Sequence, residues 1–231
     1  MRLLVALLVT LVTAGTAASS TTPLQAASSY LVGVQQSDGG FAEAGRQSDV
    51  SLTAWAALGL VAAHSSQEAR AKALGYLREH EADSSQITDV ALAALARIAL
   101  GDRPETLLTK LRAVPAGGLL NEEIWTILAL RAAGESASPT LVQDLLAMQS
   151  RTGGWSWTRR GAPDSNDIAA AIEALRAAGV SGRPITRALA ALRGFRNRAS
   201  KASGGSPSAI RASAASATSV IWLESASCCR R

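Results

Sequence analysis

QQSDGGF (Gln35 to Phe41) and QSRTGGW (Gln149 to Trp155) are the two stretches of this sequence that decide its fold. Each carries a glutamine, a pair of glycines and an aromatic residue at the same offsets, although the two lie 114 residues apart (149 − 35 = 114). A further Gly-Gly pair stands between them, in PAGGLL (Pro115 to Leu120). A mark that recurs along a chain is typical of a protein built from structural repeats.

The glycine pairs predict tight turns between elements. Glycine adopts positive φ at little cost and allows two backbones to approach closely, and the aromatic residue that follows can pack back against a helical hairpin. We therefore expect structural roles in turns for Gly39, Gly40, Gly117, Gly118, Gly153 and Gly154.

A second repeated feature is an apolar stretch that reads as a helix ending. The copies are LGLVAAH (58–64), LARIALG (95–101), LALRAAG (128–134) and EALRAAG (173–179). They end at residues 64, 101, 134 and 179, so the steps are 37, 33 and 45 residues. A mean step of about 38 residues accommodates two helices of three turns and their connections. The sequence therefore predicts about four helical hairpins.

Composition and capping residues indicate an all-α chain. Alanine and leucine dominate and aromatic residues make up only 4%, which favours helix over sheet. The alanine-rich second helix of each hairpin is apolar nearly all round, so we expect these helices to form an inner layer. They belong to one repeat domain, residues 25–195. The predicted helices lie near residues 25–36, 49–63, 67–80, 86–100, 103–113, 122–133, 139–149, 167–178 and 184–195.

The N-terminus is typical of a secretory signal peptide over residues 1–18. Arg2 precedes an apolar run from Leu3 to Val12 that is too short to cross a bilayer, and small residues follow it. An uncleaved membrane anchor is the alternative. We expect a secreted or cell-envelope protein with no stable membrane span after cleavage.

The net charge of +5 comes from the C-terminal tail. Residues 19–195 contain 16 Lys or Arg and 17 Asp or Glu, whereas residues 196–231 contain six basic residues and one acid. A near-neutral repeat region without a basic stripe argues against nucleic-acid binding. The periodic pattern stops near residue 196, so we expect 196–231 to be an irregular basic tail, either disordered or the product of a shifted reading frame.

The QxxDGGF and QxxTGGW stretches, each followed by a polar turn and an alanine-rich helix, resemble the repeats of the prenyltransferase and squalene-hopene cyclase families. The resemblance covers roughly residues 25–195. It implies an α/α toroid, in which inner helices line a cavity and outer helices surround them. Four hairpins are fewer than a closed toroid of this family needs. We therefore expect an open arc whose apolar C-terminal end would be covered by a missing repeat or a protein partner.

The catalytic groups of these families are only weakly matched. Class II cyclases use an acidic DxDD cluster, and this chain has DSND, with Asn166 in the third position. Asp164 and Asp167 are the weak candidates for an acid, but they precede a helix, where Asp also serves as an N-cap. The Asp, Cys and His ligands of zinc-dependent prenyltransferases are not matched by His64 or His80. We expect no metal site and no cofactor.

Tryptophan side chains are the main candidate ligand contacts. Two of them hold matching places in two second helices and face either the core or a cavity. The others lie in the polar stretch before DSND, where a ligand would meet aromatic and charged groups together. The alternative for that stretch is that its first tryptophan takes the place of Phe41 and its second covers a hairpin. The candidates are Trp55, Trp125, Trp155, Trp157 and Arg159.

These features favour a binding or scaffolding module, since a repeat fold hosts many functions and no catalytic group is clearly matched. Its partner would be an apolar small molecule or a protein that covers the open end. The alternative is a terpene cyclase- or mutase-like isomerase, or a truncated remnant of one, that acts on an isoprenoid. Burial of Asp164 and Asp167 beside an aromatic cavity would favour the enzyme, because burial and like charge raise a carboxyl pKa. Exposed carboxylates that cap a helix would favour binding.

Overall fold

The computed structural model describes residues 22–158 and 161–196. Within these ranges the chain forms nine α-helices, a short 3-10 helix (Glu81–Asp83) and no strand beyond an isolated bridge between Phe41 and Asp49. The all-α prediction is confirmed, and every helix lies within about two residues of its predicted bounds. The helices are α1 (Pro23–Val34), α2 (Val50–Ala62), α3 (Gln67–Glu79), α4 (Ile87–Ala99), α5 (Glu105–Arg112), α6 (Leu120–Ala132), α7 (Pro139–Ala147), α8 (Ser165–Ala177) and α9 (Arg183–Gly194).

The second helices of the hairpins form one layer. α2, α4, α6 and α8 pack side by side in that order, and each also packs against the helix that follows it in the chain. We call the helices that follow them, α3, α5, α7 and α9, the outer helices. Leucines between the two sets of helices, such as Leu77, Leu107 and Leu111, are fully buried. Burial stabilises each by about 1.5–3 kcal/mol. We call α2, α4, α6 and α8 the inner helices.

Each inner helix has 13 residues and the same C-terminal cap. In α8 the N–H of Val180 donates to the carbonyl of Leu175 at 2.8 Å, and the other three helices have the equivalent hydrogen bond at 2.9 Å. This is the Schellman motif, which requires a left-handed residue just beyond the helix. The four inner helices therefore share one register. The left-handed residues are His64 (φ 48°), Gly101 (87°), Gly134 (80°) and Gly179 (88°).

The two Gln-Gly-Gly-aromatic stretches fold into the same structure, which we call the glutamine turn. Nε2 of Gln35 donates to the carbonyls of Gly39 and Ala69, each at 2.9 Å. Nε2 of Gln149 makes the equivalent bonds, to Gly153 in its own turn and to the first turn of α9, again at 2.9 Å. One amide hydrogen closes the turn, and the other holds it against the next outer helix.

The first glycine of each turn has no room for a side chain. Gly39 and Gly153 have φ values of 88° and 95°. A Cβ atom on them would lie 2.5 Å from the carbonyl oxygen of Lys72 and 2.6 Å from that of Arg187. Any other residue would therefore strain the backbone and displace the neighbouring helix.

Both ends of the chain lie outside the described residues. These ends comprise the predicted signal peptide (residues 1–18) and residues 197–231 of the predicted tail. In the part that the structure describes, no helix has the length and apolar character needed to cross a membrane.

His64 stands where the other three inner helices have glycine. We expect His64→Gly to raise the free energy of unfolding by about 0.5–1 kcal/mol. A left-handed non-glycine residue costs about 1–2 kcal/mol, and the greater freedom of glycine in the unfolded chain offsets part of that gain. Denaturant unfolding followed by helical circular dichroism measures the change.

Gly134→Ala is the matched control at the equivalent cap. A Cβ atom there meets no other atom within 4 Å, so the expected loss of about 1 kcal/mol reflects backbone conformation alone. If His64→Gly lowered the free energy of unfolding instead, contacts of the imidazole would outweigh backbone strain at this helix end.

Candidate functional site

The common register of the inner helices places eight side chains in two rows. The sixth and ninth residues of a helix lie on the same side of it. Seven of the eight residues are apolar, and Glu173 is the exception. We call this set the tryptophan face. Its sixth residues are Trp55, Leu92, Trp125 and Ala170, and its ninth residues are Leu58, Leu95, Leu128 and Glu173.

Trp55 and Trp125 contact each other although their helices are not neighbours. The ring centroids are 5.4 Å apart and the rings are nearly perpendicular, at 89°. Such edge-to-face pairs add about 0.5–1.5 kcal/mol to the burial of apolar area. α2 and α6 both pack against α4, so the rings meet on the side of α4 that carries Leu92. Trp55 remains 36% exposed, and the pair therefore forms an aromatic surface at the edge of the core.

Glu173 introduces a carboxyl group into this apolar surface. It is partly buried, and within the described ranges it forms no hydrogen bond or ion pair. Burial raises the pKa of Glu173 to about 7, because a low-dielectric environment disfavours the charged form. The tryptophan face therefore gains or loses a charge near neutral pH.

Asp164 is the N-cap of α8. Its Oδ1 accepts hydrogen bonds from the N–H groups of Asn166 and Asp167, both at 2.9 Å, and its own N–H donates to the carbonyl of Trp155. Asp49 takes the same place after the first glutamine turn, where it caps α2. A structural role in the repeat therefore accounts for Asp164.

Asp167 is the third residue of α8, where α4 has Asp89 and α6 has Glu122, and it is the one of these three acids that is buried. Asp167 is 8% exposed, and its Oδ2 has no hydrogen-bond partner among the described residues. Burial raises the pKa of the Asp167 carboxyl well above its usual range, and the neighbouring Asp164 raises it further. The DSND stretch thus combines one capping aspartate with one buried, proton-holding aspartate.

The two candidate tryptophans in the loop before α8 lie in different environments. Trp155 is fully buried, and its Nε1 donates to the carbonyl of Leu145 at 2.7 Å. It therefore has no surface to offer a ligand and packs in the core, as Phe41 does after the first glutamine turn. Trp157 is exposed, and Arg159 lies outside the described residues.

Two cavities lie beside the first hairpin, with volumes of about 160 and 280 Å³. Serine and aspartate side chains dominate the lining of the first, and mixed polar and charged side chains line the second. Neither is lined by the tryptophan face, Asp164 or Asp167. Across residues 22–158 and 161–196, no group of three or more His, Cys, Asp or Glu residues could hold a metal ion.

Comparison with known proteins adds no family to this description. No protein-family model matches the sequence, and no curated protein matches it. The residues themselves therefore carry the functional inference.

Glu173 was not among the residues that the sequence singled out. The signal was present in the repeats, because EALRAAG begins with glutamate where the other three helix endings begin with leucine. Aligning the endings position by position places one charge in an otherwise apolar column. Such a departure from a repeat is a better guide to a site than the residues that all copies share.

The raised pKa of Glu173 predicts a pH-dependent stability. Between its usual value of 4.5 and about 7, the folded chain holds a proton that the unfolded chain has released. The free energy of unfolding should therefore fall as the pH rises through this window. Solvent screening of a partly exposed group reduces the expected effect to about 1–2 kcal/mol. Urea unfolding of Glu173→Gln and the unsubstituted chain at pH 4.5 and 8 measures it.

Glu173→Gln should lose this part of the pH dependence, while the contribution of Asp167, which has the same direction and is at least as large, remains. Glu79→Gln is the control, since Glu79 is exposed at the end of α3. If the free energy of unfolding of Glu173→Gln and of the unsubstituted chain depended on pH in the same way, Glu173 would not be the source of the pH dependence.

Proposed function

We propose that this chain is a non-catalytic binding module, built from repeats like those of prenyltransferases and squalene cyclases, that takes an apolar ligand on the tryptophan face. The N-terminal sequence indicates that it works outside the cytoplasm, as a secreted or cell-envelope protein. The observation that carries the proposal is the edge-to-face pair of Trp55 and Trp125 on a surface that is apolar at seven of its eight positions.

The chemistry of the tryptophan face suits an isoprenoid or a similar hydrocarbon. Small-molecule sites are mostly apolar and carry a few polar groups that fix orientation. Here the two indole rings and the three half-buried leucines supply the apolar surface, and Glu173 supplies one hydrogen-bonding group. These leucines are Leu58, Leu95 and Leu128. A ligand with a hydrocarbon body and a single hydroxyl would match this arrangement.

A protein partner is compatible with the same module. α8 packs against α6, α7 and α9, and no further inner helix among the described residues covers its other side. A partner, or a further repeat, would pack there and extend the inner layer. This role as a scaffold does not depend on an enzymatic activity.

Replacing either tryptophan should weaken ligand binding. Farnesol is a suitable probe, and quenching of tryptophan fluorescence reports its binding. We expect saturable quenching in the unsubstituted chain. Trp55→Ala and Trp125→Ala should each reduce the affinity at least about ten-fold, because each removes a large aromatic contact from the centre of the face.

Trp157→Ala is the matched control. It removes an exposed tryptophan of the loop before α8 and should leave the affinity within about two-fold. A loss of binding confined to Trp157→Ala would place the binding site in the loop before α8 and not on the tryptophan face. Farnesol binding that none of the three substitutions changes would contradict the proposal.

Asp167 favours a second candidate function, a terpene cyclase-like isomerase. Its buried carboxyl holds a proton near neutral pH, and it lies one turn before Ala170 of the tryptophan face. Incubation with farnesol, geranylgeraniol or squalene, followed by gas chromatography, tests it. A cyclised product that Asp167→Asn abolishes while farnesol binding persists would establish the enzyme and refute the non-catalytic module.

A further inference from the structure

A small acidic cavity lies between the N-terminal ends of α2 and α4. Its volume is about 160 Å³, and its lining includes Asp49, Tyr76, Asp83, Ser84 and Asp89. Among the described residues, no Lys, Arg or His lines it. The cavity is separate from the tryptophan face, none of whose residues lines it.

The three carboxylates give this cavity a negative charge that the helix ends only partly offset. The N-termini of α2 and α4 each carry about half a positive charge, so about two of the three negative charges remain. Asp49 accepts a hydrogen bond from the N–H of Leu52 at 2.8 Å. Asp83 Oδ2 lies 2.9 Å from His80 Nδ1. Asp89 forms no hydrogen bond or ion pair with the described part of the chain.

Ser84 lines the same cavity and has a buried hydroxyl group without a hydrogen-bond partner among the described residues. Ser84 is 4% exposed, and its Oγ makes no hydrogen bond within the described ranges. Tyr76 is equally buried, and burial together with the charges of Asp38, Asp49 and Asp83 raises the pKa of its phenol. An unpaired buried hydroxyl is costly, so native structures usually supply it with a hydrogen-bond partner from the protein, ordered water or a bound molecule. Ser84 therefore points to a ligand independently of the carboxylates.

We propose that this cavity binds a primary ammonium group on a short aliphatic chain, from either a free amine or a lysine side chain of another molecule. An ammonium group has three N–H donors and no acceptor. The carboxylates of Asp83 and Asp89 and the hydroxyl of Ser84 supply three matching acceptors. Hydrogen bonds between a charged donor and a carboxylate are stronger than hydrogen bonds between neutral groups. A metal ion is not the proposed ligand, since no group of three or more His, Cys, Asp or Glu among the described residues could hold one.

Titration of the full chain with n-butylammonium chloride, followed by two-dimensional amide NMR, tests the proposal. We expect saturable shifts at the amides of Ser84 and Asp89, with a Kd of about 1–10 mM that rises with added salt. n-Butanol, a neutral probe of similar size, should cause no saturable shift there. The absence of saturable shifts with n-butylammonium would overturn the proposal.

Three substitutions locate the site. Asp89→Asn should weaken n-butylammonium binding at least about five-fold, and Ser84→Ala should weaken it about two- to five-fold. Glu68→Gln changes the net charge as Asp89→Asn does, but Glu68 is exposed at the start of α3, where it pairs with Lys72. It should leave the Kd unchanged. Equal weakening by Glu68→Gln and Asp89→Asn would reduce the effect to general electrostatics and refute the site. Helical circular dichroism verifies that each variant folds.

A short peptide amide with one central lysine distinguishes the two sources of the ammonium group. Tighter binding of the peptide than of n-butylammonium would assign the cavity to a lysine of a partner chain. Exclusion of the peptide, with n-butylammonium still bound, would assign it to a free amine. Both results support the site.

Discussion

The two hydrogen bonds donated by the Gln149 side chain hold one repeat against the next. One closes the glutamine turn and the other reaches the first turn of α9, and Gln35 does the same between its turn and α3. The carbonyl of Trp155, at the end of this turn, accepts a hydrogen bond from the N–H of Asp164, and Asp164 caps α8. Because the cap sets where the inner helix begins, the glutamine turn fixes the start of α2 and of α8, the two inner helices that follow one.

The inner layer combines uniform architecture with local exceptions. All four inner helices have the same length and the same C-terminal cap. The positions that depart from this uniformity are the ones that carry chemistry. Glu173 replaces a leucine, and Asp167 is buried where the acids at the same position of α4 and α6, Asp89 and Glu122, are only half-buried. Both are carboxyl groups whose burial raises their pKa, so they add proton-holding groups to an otherwise apolar layer.

Local signals made the fold predictable, because glycines at left-handed positions, capping residues and apolar periods act within a few residues of the chain. Contacts between distant elements were not predictable. The sequence left Trp55 and Trp125 undecided between core and cavity, since their contact depends on how α2 and α6 sit on α4. The burial of Asp167 likewise depends on tertiary packing, whereas the capping role of Asp164 is local. Trp155 was ambiguous because a core aromatic and a ligand-binding aromatic look alike in a loop sequence.

The most direct test of this account is the free energy of unfolding of Gln149→Glu. Glutamate keeps the shape of the side chain but replaces Nε2, which supplies both N–H donors, by a carboxylate oxygen that faces the carbonyls of Gly153 and Pro184. We expect the free energy of unfolding to fall by about 2–4 kcal/mol at pH 8. Gln143→Glu, an exposed substitution on α7, should change stability by less than about 0.5 kcal/mol. Similar small effects for both substitutions would contradict the claim that the glutamine turn holds the repeats together.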